Sequence, residues 1–202
     1  MENLTEKIEQ LARKIAQAHQ HTLIIGPSGA GKTMIARQVV RYLAKPTTEE
    51  FSVIGRIANH ARLRGSSVNE LRPFRAPHHT ASMAGMFGRA PDSMWIPTFG
   101  ECTLAHLGVL FLDELPEFQR SVLEQVAVVI RNDSVIHGTK IGNVTYPASF
   151  LLVAAMNPCP CGYGVGNHEH RCTCTSEGVK RHKVRIDCLQ PLFSNMIDLR
   201  TT

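Results

Sequence analysis

The chain has 202 residues, 43% of them hydrophobic and 19% charged, with a formal net charge of +5 and a pI near 9.0. These are the proportions of a soluble globular protein with a real core, either one domain or one domain with a small appendage. No run of about 18 apolar residues is present, and Met1-Glu2-Asn3 does not open the charged-then-apolar pattern of an export signal. Neither a membrane span nor secretion is therefore expected, and the expected location is the cytoplasm. The basic excess is scattered rather than gathered in a run, which permits contact with nucleic acid without arguing for it. Six cysteines in such a chain point to free thiols or metal ligation before disulfides.

Leu4, Ile8, Leu11 and Ile15 recur at helical spacing, so residues 4 to 18 read as an amphipathic helix that covers a sheet. Thr22-Leu23-Ile24-Ile25 is a short β-branched strand candidate. Gly26-Pro27-Ser28-Gly29-Ala30-Gly31-Lys32-Thr33 then fits the phosphate-binding pattern G-x-x-x-x-G-K-[ST] without a mismatch, and Ile35, Val39 and Leu43 mark one face of a following helix. Strand, loop and helix in this order are what phosphate binding requires. Glycines let successive N–H groups point inward, and the helix N-terminus adds partial positive charge. Lys32 would reach the β- and γ-phosphates and the Thr33 hydroxyl would bind Mg²⁺.

Pro46, Thr47 and Glu49 signal the start of another helix, from Glu49 to about Leu63. A loop-rich stretch from Arg64 to Glu101 follows. It holds Arg72-Pro73-Phe74-Arg75-Ala76-Pro77-His78-His79-Thr80, read as a basic loop facing a partner or a nucleotide edge; two adjacent histidines do not suit one metal. Gly108-Val109-Leu110-Phe111-Leu112-Asp113-Glu114 is an apolar run ending in two carboxylates, as in a buried parallel strand whose C-terminal end faces a ligand. Beside a P-loop, Asp113 would hold Mg²⁺ and Glu114 would polarise water; the other reading is a solvated turn. Leu115-Pro116-Glu117-Phe118 would open a helix reaching Val129. Residues 134 to 146 read as a hairpin around Gly138 and Gly142-Asn143. The apolar run Phe150 to Met156 is a further central strand, and Asn157 at its end would meet the γ-phosphate or its attacking water, or simply terminate the strand.

Cys159-Pro160-Cys161 and Cys172-Thr173-Cys174 bracket a short loop with Gly162, Gly164 and Gly166. Four thiolates in two close pairs suit a closed, structural, tetrahedral Zn²⁺ site, with His168 or His170 able to replace one sulfur and unligated thiols as the alternative.

Together the P-loop, the Arg72 to Thr80 block, the Leu104 to Phe118 block and Ala154-Ala155-Met156-Asn157-Pro158-Cys159-Pro160-Cys161-Gly162 resemble the AAA+ module of the magnesium-chelatase family, in its ComM-like branch, over nearly the whole chain. The resemblance implies an α/β, three-layer P-loop NTPase fold with a central parallel sheet, a hairpin insertion before the sensor strand and a C-terminal Cys-rich knuckle. Residues 1–158 would form the nucleotide-binding core. Residues 159–202 would hold the knuckle and the remainder of the core's C-terminal part, without a helical lid. It implies ATP and Mg²⁺ as cofactors, a Walker A lysine at Lys32, Walker B carboxylates at Asp113 and Glu114, and a sensor asparagine at Asn157. It further implies an AAA+ homo-oligomer or partner subunit, and DNA as a remodelled partner. Two departures stand out. The family's N-terminal protease-like domain is not expected here, and where the family places an arginine before Ile-Asp this chain has Met196, although Arg185 is retained. ATP hydrolysis within an assembly and a hydrolysis-deficient nucleotide-binding module are therefore the two functions the sequence leaves open.

Overall fold

A computed structural model of the chain describes residues 4–61, 71–90, 98–139, 142–164 and 172–200. In chain order the elements are α1 (Leu4–Ala18), β1 (Thr22–Ile25), α2 (Lys32–Tyr42), α3 (Thr48–His60), β2 (Phe74–Arg75), α4 (Met83–Phe87), β3 (Gly88–Arg89), β4 (Thr98–Phe99), α5 (Glu101–Leu104), β5 (Val109–Leu112), α6 (Arg120–Asn132), β6 (Ser134–Thr139), β7 (Gly142–Pro147), β8 (Leu151–Met156), α7 (Ser176–Val184) and β9 (Asn195–Asp198). Five strands form one sheet in the order β2-β5-β8-β1-β9, every pairing parallel. The strands β6 and β7 form a separate antiparallel hairpin, as the sequence predicts.

The strands are nearly continuous in apolar character because both faces of the sheet are covered. Side chains alternate across a strand, so Val109 and Phe111 pack with α1 and α2, while Leu110 and Leu112 pack with α6 and the short helices α4 and α5. The strand β8 divides in the same way: Val153 and Ala155 face α1 and α2, and Leu152, Ala154 and Met156 face the other layer. All six residues of β8 are buried. The result is the three-layer α/β architecture expected from the sequence.

Local chemistry explains several element ends. Thr47 caps α3 by accepting from the Glu50 N–H at 3.3 Å, while the Glu50 carboxylate accepts from the Thr47 N–H at 2.8 Å, a complete capping box. The helix ends at His60, and its expected extension to Leu63 lies outside the described residues. Gly108 admits β2 alongside β5, since a Cβ there would stand 2.1 Å from the Pro73 carbonyl oxygen.

Three expectations need correction. The helix predicted from Leu115 starts later: Leu115–Glu117 is a single 3₁₀ turn, Phe118 and Gln119 are extended, and α6 begins at Arg120. Burial of Phe118, only 1% exposed, draws the chain into the core between turn and helix. The stretch read as loop contributes the edge strand β2, the short helix α4 and the paired two-residue strands β3 and β4. The sheet also takes a fifth strand, β9, from beyond the cysteine-rich loop, where the sequence was read only for a motif.

Two histidines fasten the start of β8. His21 Nδ1 accepts the Leu152 N–H at 3.0 Å, and His106 Nδ1 accepts the Ser149 N–H at 3.1 Å. Burial lowers the pKa of both below the ordinary 6.5, with Asp133 opposing the shift. A ring protonated on both nitrogens cannot accept, so the unfolded chain binds these protons more readily than the folded one. Their stabilisation is therefore fully present above about pH 6.5 and is lost as pH falls below it. Thermal unfolding followed between pH 7.5 and 5.5 should show a falling midpoint, and His21→Asn with His106→Asn, which keep an acceptor but do not titrate, should flatten that slope.

Candidate functional site

The carboxyl ends of β1, β5 and β8 lie side by side, and the segments leaving them form one cavity of about 320 Å³ lined by Ser28, Gly29, Ala30, Gly31, Lys32, Thr33, Met34, Asp113, Glu114, Met156 and Asn157. The parallel register pairs Ile25 with Met156, and the Gly26 N–H donates to the Met156 carbonyl at 3.2 Å, so the P-loop departs directly beside Asn157. Gly26, Pro27 and Ser28 begin the turn, and the Ala30 N–H closes it on the Pro27 carbonyl at 3.3 Å. Gly29 and Gly31 have φ of 79° and 81°, in the left-handed region that glycine enters without strain. Gly31 is the N-cap of α2, so the first turn of that helix opens onto the cavity.

The Lys32 ammonium donates to three acceptors: the Gly26 carbonyl at 2.8 Å, the Pro27 carbonyl at 2.8 Å and Asn157 Oδ1 at 3.0 Å. Burial lowers its pKa, and the nearby carboxylates of Asp113 and Glu114 oppose that shift. Thr33 Oγ1 donates to Asp113 Oδ2 at 2.7 Å, and the other Asp113 oxygen accepts the Glu114 N–H at 2.9 Å. A hydroxyl and a carboxylate within hydrogen-bond reach at the mouth of a P-loop are hard oxygen donors of the kind Mg²⁺ takes. Glu114 itself sits at φ 51° and ψ 47°, unusual for a residue with a side chain and costing on the order of 1 kcal/mol. The Glu117 N–H on its carbonyl at 2.8 Å and the Arg185 Nε–H on the Pro116 carbonyl fasten the turn that keeps it there. Of the predicted residues, Ser28 to Thr33, Asp113, Glu114 and Asn157 thus line one cavity, while Gly26 and Pro27 reach it through their carbonyls on Lys32.

The two arginines of the basic loop are engaged within the chain. Arg72 forms a bidentate pair with Glu50, at 2.8 and 3.2 Å, and also donates to the Leu107 and Ala44 carbonyls. Arg75 forms a second bidentate pair with Glu101 at 2.6 and 2.7 Å. Both arginines fasten the edge of the sheet instead. Arg185, engaged through its Nε–H by Pro116, also serves within the chain. One residue escapes sequence reading: His182 on α7 is buried, and its Nε2 lies 3.0 Å from the Asn157 carbonyl oxygen. No spacing rule links two positions 25 residues apart across a loop, so only the fold reveals it.

Cys159, Cys161, Cys172 and Cys174 converge, with all four sulfurs within 4.8 Å of one another. The separations of 3.2, 3.6 and 3.7 Å among Cys159, Cys161 and Cys172 approach the sulfur–sulfur edge of about 3.8 Å that Zn–S bonds of about 2.3 Å give in a tetrahedron. The Gly164 N–H on Cys159 at 3.2 Å and the Cys161 N–H on Cys174 at 3.3 Å are the second-layer donors that stabilise thiolates. The Cys161 thiol is lowered to about 6, first by the Tyr163 backbone hydrogen bond and then by Cys159. Cys174 is pushed up to about 12, where the Cys161 N–H that favours its thiolate is outweighed by burial and the neighbouring sulfurs. The donor set fits a structural metal. Gly166, His168 and His170 lie outside the described residues.

With this geometry established, similarity to known proteins is informative. The family described as magnesium chelatase, subunit ChlI, matches residues 3–202. The chain is 41% identical over 174 residues to the protein YifB of Escherichia coli (strain K12), covering 85% of this chain and 33% of that protein. It is 41% identical over 175 residues to the competence protein ComM of Haemophilus influenzae, covering 82% of this chain and 33% of that protein. The chain thus spans about a third of the length of these relatives. In three dimensions it is similar to NtrX from Brucella abortus, solved in complex with ATP, with a TM-score of 0.58 at 18% identity over 97% of this chain and 36% of that one. That likeness speaks for the fold alone. The chain belongs to the magnesium chelatase ChlI family of AAA+ proteins, in its ComM-like, YifB-type branch.

Proposed function

We propose that this chain is a Mg²⁺-dependent ATP-binding core that hydrolyses ATP when assembled with further AAA+ subunits. The observation that carries the reading is the convergence of Lys32, Thr33, Asp113 and Asn157, which come from three separate segments, on one cavity. The P-loop backbone from Gly26 to Thr33 and the α2 N-terminus would cradle the phosphates. Lys32 would neutralise their charge, and Thr33 with Asp113 would hold Mg²⁺, which supplies positive charge beside the transferring phosphoryl oxygens. Glu114 is the general base for the attacking water, and Asn157 orients that water while steadying Lys32.

Met196, where the resemblance implies an arginine, favours a second reading, in which the chain binds nucleotide without turnover. Two variants separate the readings. In calorimetry, Lys32→Ala should weaken Mg-ATP binding by about ten- to a hundredfold, the worth of a lost charge-assisted contact; absence of binding by the unaltered chain rejects both readings. Glu114→Gln should retain binding and lose about 10²-fold or more in steady-state hydrolysis. Equal rates in the two proteins would leave only the binding module.

The four cysteines are assigned to a structural Zn²⁺, as their sulfur geometry and backbone donors support. Freshly purified protein should contain close to one equivalent of zinc, lost in Cys159→Ser with Cys172→Ser; less than half an equivalent in the unaltered protein would reject the site.

A DNA partner is the extension suggested by the competence name of the Haemophilus relative. The exposed bases Lys180, Arg181 and Lys183 on α7 support it. DNA affinity measured over a salt series should fall steeply, because phosphate contacts release counterions. Absent or salt-independent binding would remove DNA from the proposal.

A further inference from the structure

The strand β8 ends at Met156, so the Asn157 carbonyl lies past Ile25 and Met156, the last paired residues of its ladder with β1. The next residue is Pro158, which disfavours helical backbone at Asn157. His182 supplies a partner for that carbonyl: its Nε2–H donates to the Asn157 oxygen at 3.0 Å. A carbonyl only accepts, so Nε2 carries the proton.

The helix bearing His182 braces two strand ends at once. Thr175, the residue after Cys174, caps α7 by accepting the Gly178 N–H at 3.1 Å. Three residues beyond His182, and therefore on the same side of the chain's last helical turn, Arg185 donates through Nε to the Pro116 carbonyl in the turn that follows Glu114. On the other side of the cysteine loop, the Gly162 N–H closes a turn on the Cys159 carbonyl at 2.9 Å. That turn brings Gly162 beside the Asn157 amide, where a Cβ would stand 3.9 Å from Nδ2. Residues 157 to 182 thus make a closed circuit: the converging sulfurs draw Cys159 and Cys174 together, and the histidine contact closes it.

The consequence falls on the Asn157 side chain. Its Oδ1 accepts from Lys32 at 3.0 Å, and where the rest of the amide points depends on the backbone that carries it. Pro158 restricts that backbone and His182 holds its carbonyl. A shift of about 1 Å in a group that orients a reacting water costs up to about 10²-fold in rate.

We propose that His182 is a positioning residue for the cavity: by holding the Asn157 carbonyl it fixes the direction in which the Asn157 amide meets the γ-phosphate and its attacking water. The assignment rests on the reading of Asn157 as the residue that orients that water. In the step served, the water oxygen bonds to the γ-phosphorus while its proton passes to Glu114. The bond from phosphorus to the bridging oxygen breaks with its electron pair, giving ADP and inorganic phosphate. The His182 proton stays where it is throughout.

The test uses the full chain with two substitutions at one position. His182→Phe keeps a buried ring and removes the donor, whereas His182→Gln keeps an N–H near the place of Nε2. His182→Phe should lower kcat about tenfold while Mg-ATP affinity in calorimetry changes by less than about threefold, the split expected of lost orientation. His182→Gln should recover most of the rate. In an Asn157→Ala background, His182→Phe should cost nothing further. Two spectroscopic readouts need no turnover. Long-range ¹⁵N–¹H spectra of the unaltered protein should place the His182 proton on Nε2. The Asn157 side-chain amide signal should differ between Mg-ADP and a non-hydrolysable Mg-ATP analogue in the unaltered chain and in His182→Gln, and lose that difference in His182→Phe. An unchanged kcat in His182→Phe, an additive loss in the Asn157→Ala background, an unprotonated Nε2, or an amide difference that persists in His182→Phe would each overturn the assignment. A signal indifferent to the γ-phosphate in the unaltered chain would remove Asn157 from the site, and His182 with it. An unaltered chain that binds Mg-ATP without turnover, with an amide signal dependent on His182, would reject hydrolysis and keep the positioning of Asn157 on the γ-phosphate.

Discussion

The parallel pairing of β1 with β8 is the constraint on which the rest depends. It sets Ile25 opposite Met156, so the next residues on each strand, Gly26 and Asn157, leave the sheet together. Lys32 and Asn157 are 125 residues apart in sequence, and this register alone brings the ammonium to 3.0 Å from the amide oxygen. A slip by one residue would turn every side chain of β8 to the opposite face and carry Asn157 away from the loop. The register is held from both sides: apolar residues of β8 are buried in both layers, and His21 and His106 accept backbone N–H groups at its start.

The same edge carries the second half of the cavity. The strand β5 lies on the other side of β8, so Asp113 emerges near enough to accept the Thr33 hydroxyl. The chain then turns sharply through Glu114 in a left-handed conformation, a local cost offset by hydrogen bonds to its neighbours and by Phe118 sinking into the core. Rigid strands thus deliver side chains to the cavity, and of the non-glycine residues lining it Glu114, given the role of base, has the left-handed backbone. The cysteine loop starts two residues after Asn157, and the His182 contact to the Asn157 carbonyl ties α7 to the same strand end. Cavity and cysteine cluster therefore share a support.

Some of this was legible in the linear chain. The P-loop is a local motif whose glycines, lysine and threonine interact over a few residues, so its spacing carries the geometry. The strands β5 and β8 announce themselves because a parallel strand buried on both faces must be apolar throughout. The hairpin of β6 and β7 follows from β-branched residues on either side of its glycines. Other elements were silent: β2 has two residues, too few for a period, and β9 has Asn195 and Asp198 at its ends in place of an apolar run, so each is a strand because a neighbour supplies its hydrogen bonds. The loop arginines misled for a related reason. A charge pattern reads the same whether its partners are solvent, a ligand or, as with Glu50 and Glu101, carboxylates from distant helices.

By itself, then, the sequence determined the fold class and the residue types of the cavity, because these rest on local spacing and on apolar runs that admit one kind of burial, and its motif blocks carried the resemblance to the family. Tertiary structure decided which of those residues meet. The pairing of Lys32 with Asn157 and of Thr33 with Asp113 depends on strand order and register. Those are settled by long-range packing of the whole sheet, and no short window of sequence contains them.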